Sequence, residues 1–137
     1  MAFWLMKSEP YVFGWSQLVA DGRNGWDGVR NYQAANNLKA MRIGDESFFY
    51  HSNEGLEIVG IARIIREAYP DASDPKGRFV MVDIEPVRPL ARPVTLKAIK
   101  AEPRLADFLL VRHSRLSVIP VRPEEWRLIC EMGGTTP

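Results

Sequence analysis

The sequence predicts an α+β domain built on a curled or closed sheet, and three observations carry that reading. Short runs rich in aromatic and aliphatic residues, strand-like in length and alternation, recur at Phe3 to Glu9, Glu46 to Ser52, Leu56 to Arg66 and Phe79 to Val87. They outnumber the long helical patterns, and the helices that interrupt them are short. Gly60-Ile61-Ala62, inside the third run, carries two small residues, Gly60 and Ala62, that permit close approach of another backbone, or the bend a barrel corner needs. No linker, internal repeat or low-complexity segment divides the 137 residues, so residues 1–132 read as one domain and 133–137 as a tail.

Taken in order, the first strand stops at Pro10, leaving Lys7-Ser8-Glu9 as its polar end. Trp15 to Ala20 is a short helix closed by Asp21-Gly22, with Trp15 and Leu18 packing it down. After the turn at Ile43-Gly44-Asp45, the second strand again runs into polar groups, Tyr50, His51, Ser52 and Asn53. Ala68 to Gly77 reads as a loop. Pro86, Pro89 and Pro93 prevent Val87 to Val94 from being a central ladder throughout, which leaves an edge or an irregular crossing. Short helices follow at Thr95 to Lys100 and from Pro103 to Asp107. Arg112 to Ile119 leads into a strand, and Pro123 starts the closing helix, Glu124 to Met132.

At 46% hydrophobic the chain can bury a core without staples. A formal net charge of +1 does not by itself announce a nucleic-acid or membrane-surface binder, but from Arg88 to Arg127 bases outnumber acids. The single Cys130 excludes an intrachain disulfide, and with only His51 and His113 beside it no usual zinc site is assembled. The first residues lack a basic region and a cleavage signal, and no run approaches the roughly 18 apolar residues of a membrane span. These features lead to the expectation of a cytoplasmic monomer with no membrane association, metal or cofactor.

Trp26 to Asn37 is the stretch whose residue types suit a site better than a core. Trp26 stands between Gly25 and the Asp27-Gly28 turn signal, which places its indole on a loop. Arg30, Asn31, Tyr32, Gln33, Asn36 and Asn37 then crowd hydrogen-bonding groups into a helix entrance. A structural explanation is an Asn31 cap on an amphipathic helix buried through Tyr32, Ala35, Leu38 and Met41.

The ordered set Phe3-Trp4-Leu5-Met6-Lys7-Ser8-Glu9-Pro10, Trp26 to Ala34, Phe49-Tyr50-His51-Ser52-Asn53, Gly60-Ile61-Ala62 and Ser114-Arg115-Leu116-Ser117-Val118 resembles the EVE domain of the PUA superfamily across nearly the whole chain. The resemblance implies a PUA-like mixed β-barrel flanked by short helices, with the strand ends and the Trp26 segment gathered around one pocket. EVE domains look like relatives of the YTH readers of methylated adenine. The function implied is non-enzymatic binding of DNA or RNA that carries a modified base, such as methylated cytosine or adenine, beside a possible effector protein partner. Trp26 and Tyr50 would stack on the base, while Ser8, Asn31, Asn36, His51 and Ser52 would read its edge. Lys7, Arg30, Arg112, Arg115 and Ser117 would hold phosphate.

Two alternatives belong to other classes. An ASCH-like hydrolase of nucleosides or small molecules would use Lys7 and Glu9, and a protein-interaction module would use an aromatic patch around Phe79 and Tyr69.

Overall fold

The first strand is hydrophobic on both faces, and its position in the sheet gives the reason. In the computed structural model, which describes residues Met1–Pro137, β1 (Phe3–Ser8) lies between β3 (Glu46–His51), with which it is parallel, and β6 (Val118–Val121), with which it is antiparallel. Trp4, Leu5 and Met6 are therefore all buried. The buried Asp45 carboxylate fixes the start of the pair, accepting from Trp4 Nε1 at 3.0 Å, the Ala2 N–H at 3.1 Å and the Arg42 N–H at 3.0 Å.

Six strands form one sheet, in the order β2 (Asn24–Trp26), β5 (Val80–Thr95), β4 (Glu57–Pro70), β3, β1 and β6, and β1 with β3 is its one parallel pair. The crossover between them contains α1 (Trp15–Asp21), β2 (Asn24–Trp26) and α2 (Tyr32–Ala40). Asn31 caps α2, its side-chain oxygen accepting from the Ala34 N–H at 2.9 Å. Ala34, Ala35 and Leu38 form the buried face of α2, which packs on β6 and also on β4 and β5. Of these, β5 and β6 lie towards opposite ends of the sheet order, so the sheet curls around α2 in the manner of a barrel. Asn37 Nδ2 donates to the Val118 carbonyl at 2.7 Å, on the side of β6 that no strand pairs.

β4 (Glu57–Pro70) and β5 (Val80–Thr95) make a long hairpin whose register shifts at four points. β4 continues into the segment read as a loop, and β5 runs past Val87 to Thr95. The three prolines fit because β2 pairs only with Val82 to Ile84, which leaves the rest of β5 as an edge. A Cβ at Gly60 would stand 2.6 Å from the Trp15 ring, so this glycine admits a half-buried indole rather than another backbone.

The C-terminal part covers the sheet with α3 (Leu96–Ala101), a 3-10 turn at Pro103–Leu105, α4 (Leu109–Arg112) and α5 (Pro123–Met132). From α5, Trp126 stacks on Phe48 at 3.9 Å and on Phe3 at 4.4 Å between ring centroids. Residues 133–137 are tied to β5, where the Arg92 N–H donates to the Gly133 carbonyl and Arg88 Nε to Thr135 Oγ1. No helix is long and apolar enough to cross a membrane.

Candidate functional site

The parallel register sets Lys7 beside Tyr50 and Ser8 beside His51, and the Ser52 N–H donates to the Ser8 carbonyl. Beyond Pro10 the chain turns on the Glu9 carbonyl, which accepts from the Val12 and Phe13 N–H groups. That turn sets Phe13 edge-on to Trp26, with centroids 6.0 Å apart, while Phe49 meets the indole from 5.5 Å. A cavity of about 290 Å³ opens there, lined by Ser8, Val12, Phe13, Asn24, Gly25, Trp26 and Asp27. It is just below the roughly 300–1,000 Å³ of typical ligand pockets and suits a single ring system.

A second hollow of about 430 Å³ shares Ser8 and Val12 with the first, adding Lys7, Glu9, Ser52, Ser114, Arg115 and Ser117. Lys7 Nζ donates to the Ser114 carbonyl at 2.8 Å, and burial lowers the lysine pKa from its ordinary value. A third hollow of about 280 Å³ shares Ser114 and Arg115 with the second, and brings in Asn31, Gln33, His113 and Leu116. The shared residues join the three into one track past the ends of β1 and β3. Arg115 is exposed on this track, and no acidic side chain pairs with it.

Of the residues expected at a site, Ser8, Trp26, Asn31, Ser52, Lys7, Arg115 and Ser117 lie along the track. Trp26 itself and the remaining residues differ in placement from what was expected. Trp26 ends a strand rather than riding on a loop: it pairs with Val82, is 5% exposed, and borders the cavity without standing free in it. The turn begins only after it, with Gly28 at φ +81°. Tyr50 is buried, and burial pushes its hydroxyl up to about 12, so it presents no face for stacking. His51 accepts the Trp15 N–H through Nε2 at 3.1 Å, ending its strand as a helix anchor. Asn36 is exposed and lines none of the three hollows. Tyr32, expected in the core, is 62% exposed and leans on Phe79 at 5.0 Å.

Two arginines expected on phosphate are engaged within the fold. Arg112 donates to the Asp107 carboxylate at 2.9 Å and to the Ala106 carbonyl. Arg30 pairs with Asp71 at 3.1 Å, donates to Ser73 Oγ at 3.0 Å and lies over the Phe79 ring. Phe79 is buried beneath this cluster, and Tyr69 donates its hydroxyl to Asp83 under the Arg66 guanidinium, so the two rings do not form an open patch. Lys7 and Glu9 do share a hollow, but the lysine's bond is to a backbone carbonyl and no ion pair joins them.

Sequence reading missed Val12, Phe13, Asn24 and His113 as lining residues. The available signal was Tyr11-Val12-Phe13, an apolar run between Pro10 and Gly14 with no helical or strand length to occupy.

A curled mixed sheet plugged by a helix, with a cleft at the ends of its parallel strands, defines a PUA-like α+β domain. The family model of the EVE domain matches residues 2–132, and the chain belongs to that family. It is 37% identical to mouse thymocyte nuclear protein 1, covering 98% of this chain and 75% of the relative. A Rhodopseudomonas palustris protein solved by NMR is 61% identical with a TM-score of 0.92, covering 98% of this chain and 94% of that one. The crystal structure of human THYN1 protein in complex with 5-methylcytosine-containing DNA is 34% identical with a TM-score of 0.90, covering 100% of both chains.

Proposed function

We propose that this domain is a non-enzymatic reader of a modified base in nucleic acid. The base enters the cleft bounded by Trp26, Phe13 and Val12, while the backbone follows the track past Lys7 and Arg115. One observation carries this reading: an aromatic cavity of single-ring size shares Ser8 and Val12 with a hollow that holds two cationic side chains. The 5-methylcytosine DNA held by the human relative supports it by family likeness.

The chemistry follows from the lining. Aromatic contact contributes about 1–3 kcal/mol per base, and a methyl group adds roughly 0.8 kcal/mol when buried against an apolar wall. Ser8, Asn24 and Asp27 offer hydrogen-bonding groups for the edge of the base. Lys7, Arg115 and Ser117 offer phosphate partners, with Asn31 and Ser52 beside them.

The test is fluorescence anisotropy with labelled single-stranded and duplex DNA and RNA, each carrying plain or methylated cytosine or adenine. Because Trp26 is buried, Trp26→Phe and Phe13→Ser are preferred to Trp26→Ala, with thermal melts as controls. The expected result is tighter binding to one methylated base, a preference lost in Phe13→Ser while folding persists. Equal binding of plain and methylated probes by wild type would sink the reader, as would unchanged preference in both variants.

A further inference from the structure

A groove of about 430 Å³ lies between the β3–β4 loop and α3, lined by Gly55, Leu56, Thr95, Leu96, Lys97 and Lys100. None of these residues lines the track at the end of β1. Three features set it apart. Leu56 adopts φ +48°, a left-handed conformation that side chains other than glycine and asparagine seldom take, and it is 42% exposed. Folding alone does not call for leucine there, since glycine would relax the backbone and leave less apolar surface in water. Strain of this kind persists where surrounding structure holds it, and here the Leu56 carbonyl is held by the Leu96 N–H at 2.9 Å.

The second feature is charge. Lys97 and Lys100 are exposed, stand three residues apart on one face of α3, and pair with no acidic group. No carboxylate is among the lining residues; Glu57 stands beside Gly55 and makes no ion pair with either lysine. The third is what the lining lacks. It contains no aromatic ring to stack on a base and no side-chain amide to read one, and the sugar–phosphate backbone offers little apolar surface to cover Leu56 and Leu96.

We propose that this groove docks an acidic peptide segment of a partner protein, with one apolar side chain seated on Leu56 and Leu96 and flanking carboxylates on Lys97 and Lys100. The apolar anchor supplies burial, and the two unopposed ammonium groups select acidic flanks over basic or neutral ones. The groove shares no lining residue with the base cleft or the track, though Ser52 of the second hollow lies in the same β3–β4 loop.

The experiment selects binders to the full chain from a random displayed peptide library, then measures the recovered peptides by anisotropy. Wild type, Leu56→Gly and the double variant Lys97→Glu/Lys100→Glu are compared. Leu56→Gly removes the anchor while relieving the backbone, so its melting temperature should hold or rise as peptide affinity falls tenfold or more. Recovered peptides should carry an apolar residue flanked by Asp or Glu, and should lose at least tenfold in the double variant. Failure to enrich peptides, or equal binding to wild type and both variants, overturns the proposal. So does a double variant that weakens duplex DNA binding, which would give the groove to nucleic acid, or one that changes the oligomeric state in size-exclusion chromatography, which would give it to a second copy.

Discussion

The Arg30 guanidinium lies 3.1 Å from the Asp71 carboxylate and clasps the segment after Trp26 to the turn between β4 and β5. Asp71 also accepts from the Gly28 N–H at 2.9 Å and from the N–H and hydroxyl of Ser73, with its side chain fully buried. Burial alone would raise the Asp71 pKa, but the bonds from Ser73, Gly28 and Arg30 outweigh it and hold the group down to about 2.

Asp71→Asn is expected to cost about 1–3 kcal/mol in urea unfolding, because Asn keeps an acceptor but loses the charge-assisted bonds. The pH dependence has a defined sign. The folded pKa of about 2 lies below the ordinary 3.8, so this stabilisation is complete above the ordinary value and disappears as pH falls through the folded one. The depression is worth about 2 kcal/mol. Thermal melts between pH 5 and pH 2 should fall more steeply for wild type than for Asp71→Asn; parallel curves would show that the Asp71 charge does not stabilise the fold.

His51 acts in a different window. Burial lowers its pKa below the ordinary 6.5, against the opposing pull of Glu57, and its Nε2 must remain unprotonated to accept the Trp15 N–H. The folded state therefore binds the proton less well than the unfolded chain. Stability is full above pH 6.5 and declines as pH falls through the folded value. Wild type should lose melting temperature between pH 7.5 and pH 5, and His51→Gln should lose less over that interval.

Gly60→Ala tests the packing beneath α1. The added methyl would meet the Trp15 ring at 2.6 Å, and the ring is rigid, so either the indole or the strand must move. Overpacking of this kind costs about 1–3 kcal/mol. Chemical denaturation reads the loss directly, and a change under about 0.5 kcal/mol would mean that Trp15 shifts freely.

Strand ends and edges were legible in the sequence because they obey local rules. The prolines of β5 announced an edge or an irregular crossing, Asn31 announced a cap, and polar groups marked the ends of β1 and β3, whose gathering at one place only the EVE resemblance implied. What stayed hidden depended on partners distant in the chain. Nothing near Arg30 reveals Asp71, 41 residues away, and Trp26 enters a strand because β5 arrives to pair with it. Tyr50 alternates as a strand residue should, but only the assembled sheet decides that its ring faces the core. The identity of Phe13 as a cavity wall likewise depends on the turn at Glu9 folding back over β2.

The two arginines Arg112 and Arg115 provide the sharpest check on the track. They are close in sequence and both exposed, yet Arg112 is satisfied by Asp107 and Ala106 while Arg115 lines two adjoining hollows without a partner. Neutralising a phosphate releases condensed counterions, so losing one such contact lowers affinity across sequences and reduces the log–log salt slope by about 1. Arg115→Ala should therefore weaken duplex binding several-fold at low salt and flatten the salt dependence, with little change in preference between plain and methylated bases. Arg112→Ala should leave both quantities near wild type. Anisotropy titrations across a salt series measure the slope, and equal effects of the two substitutions would move the phosphate path away from the Ser114–Ser117 segment.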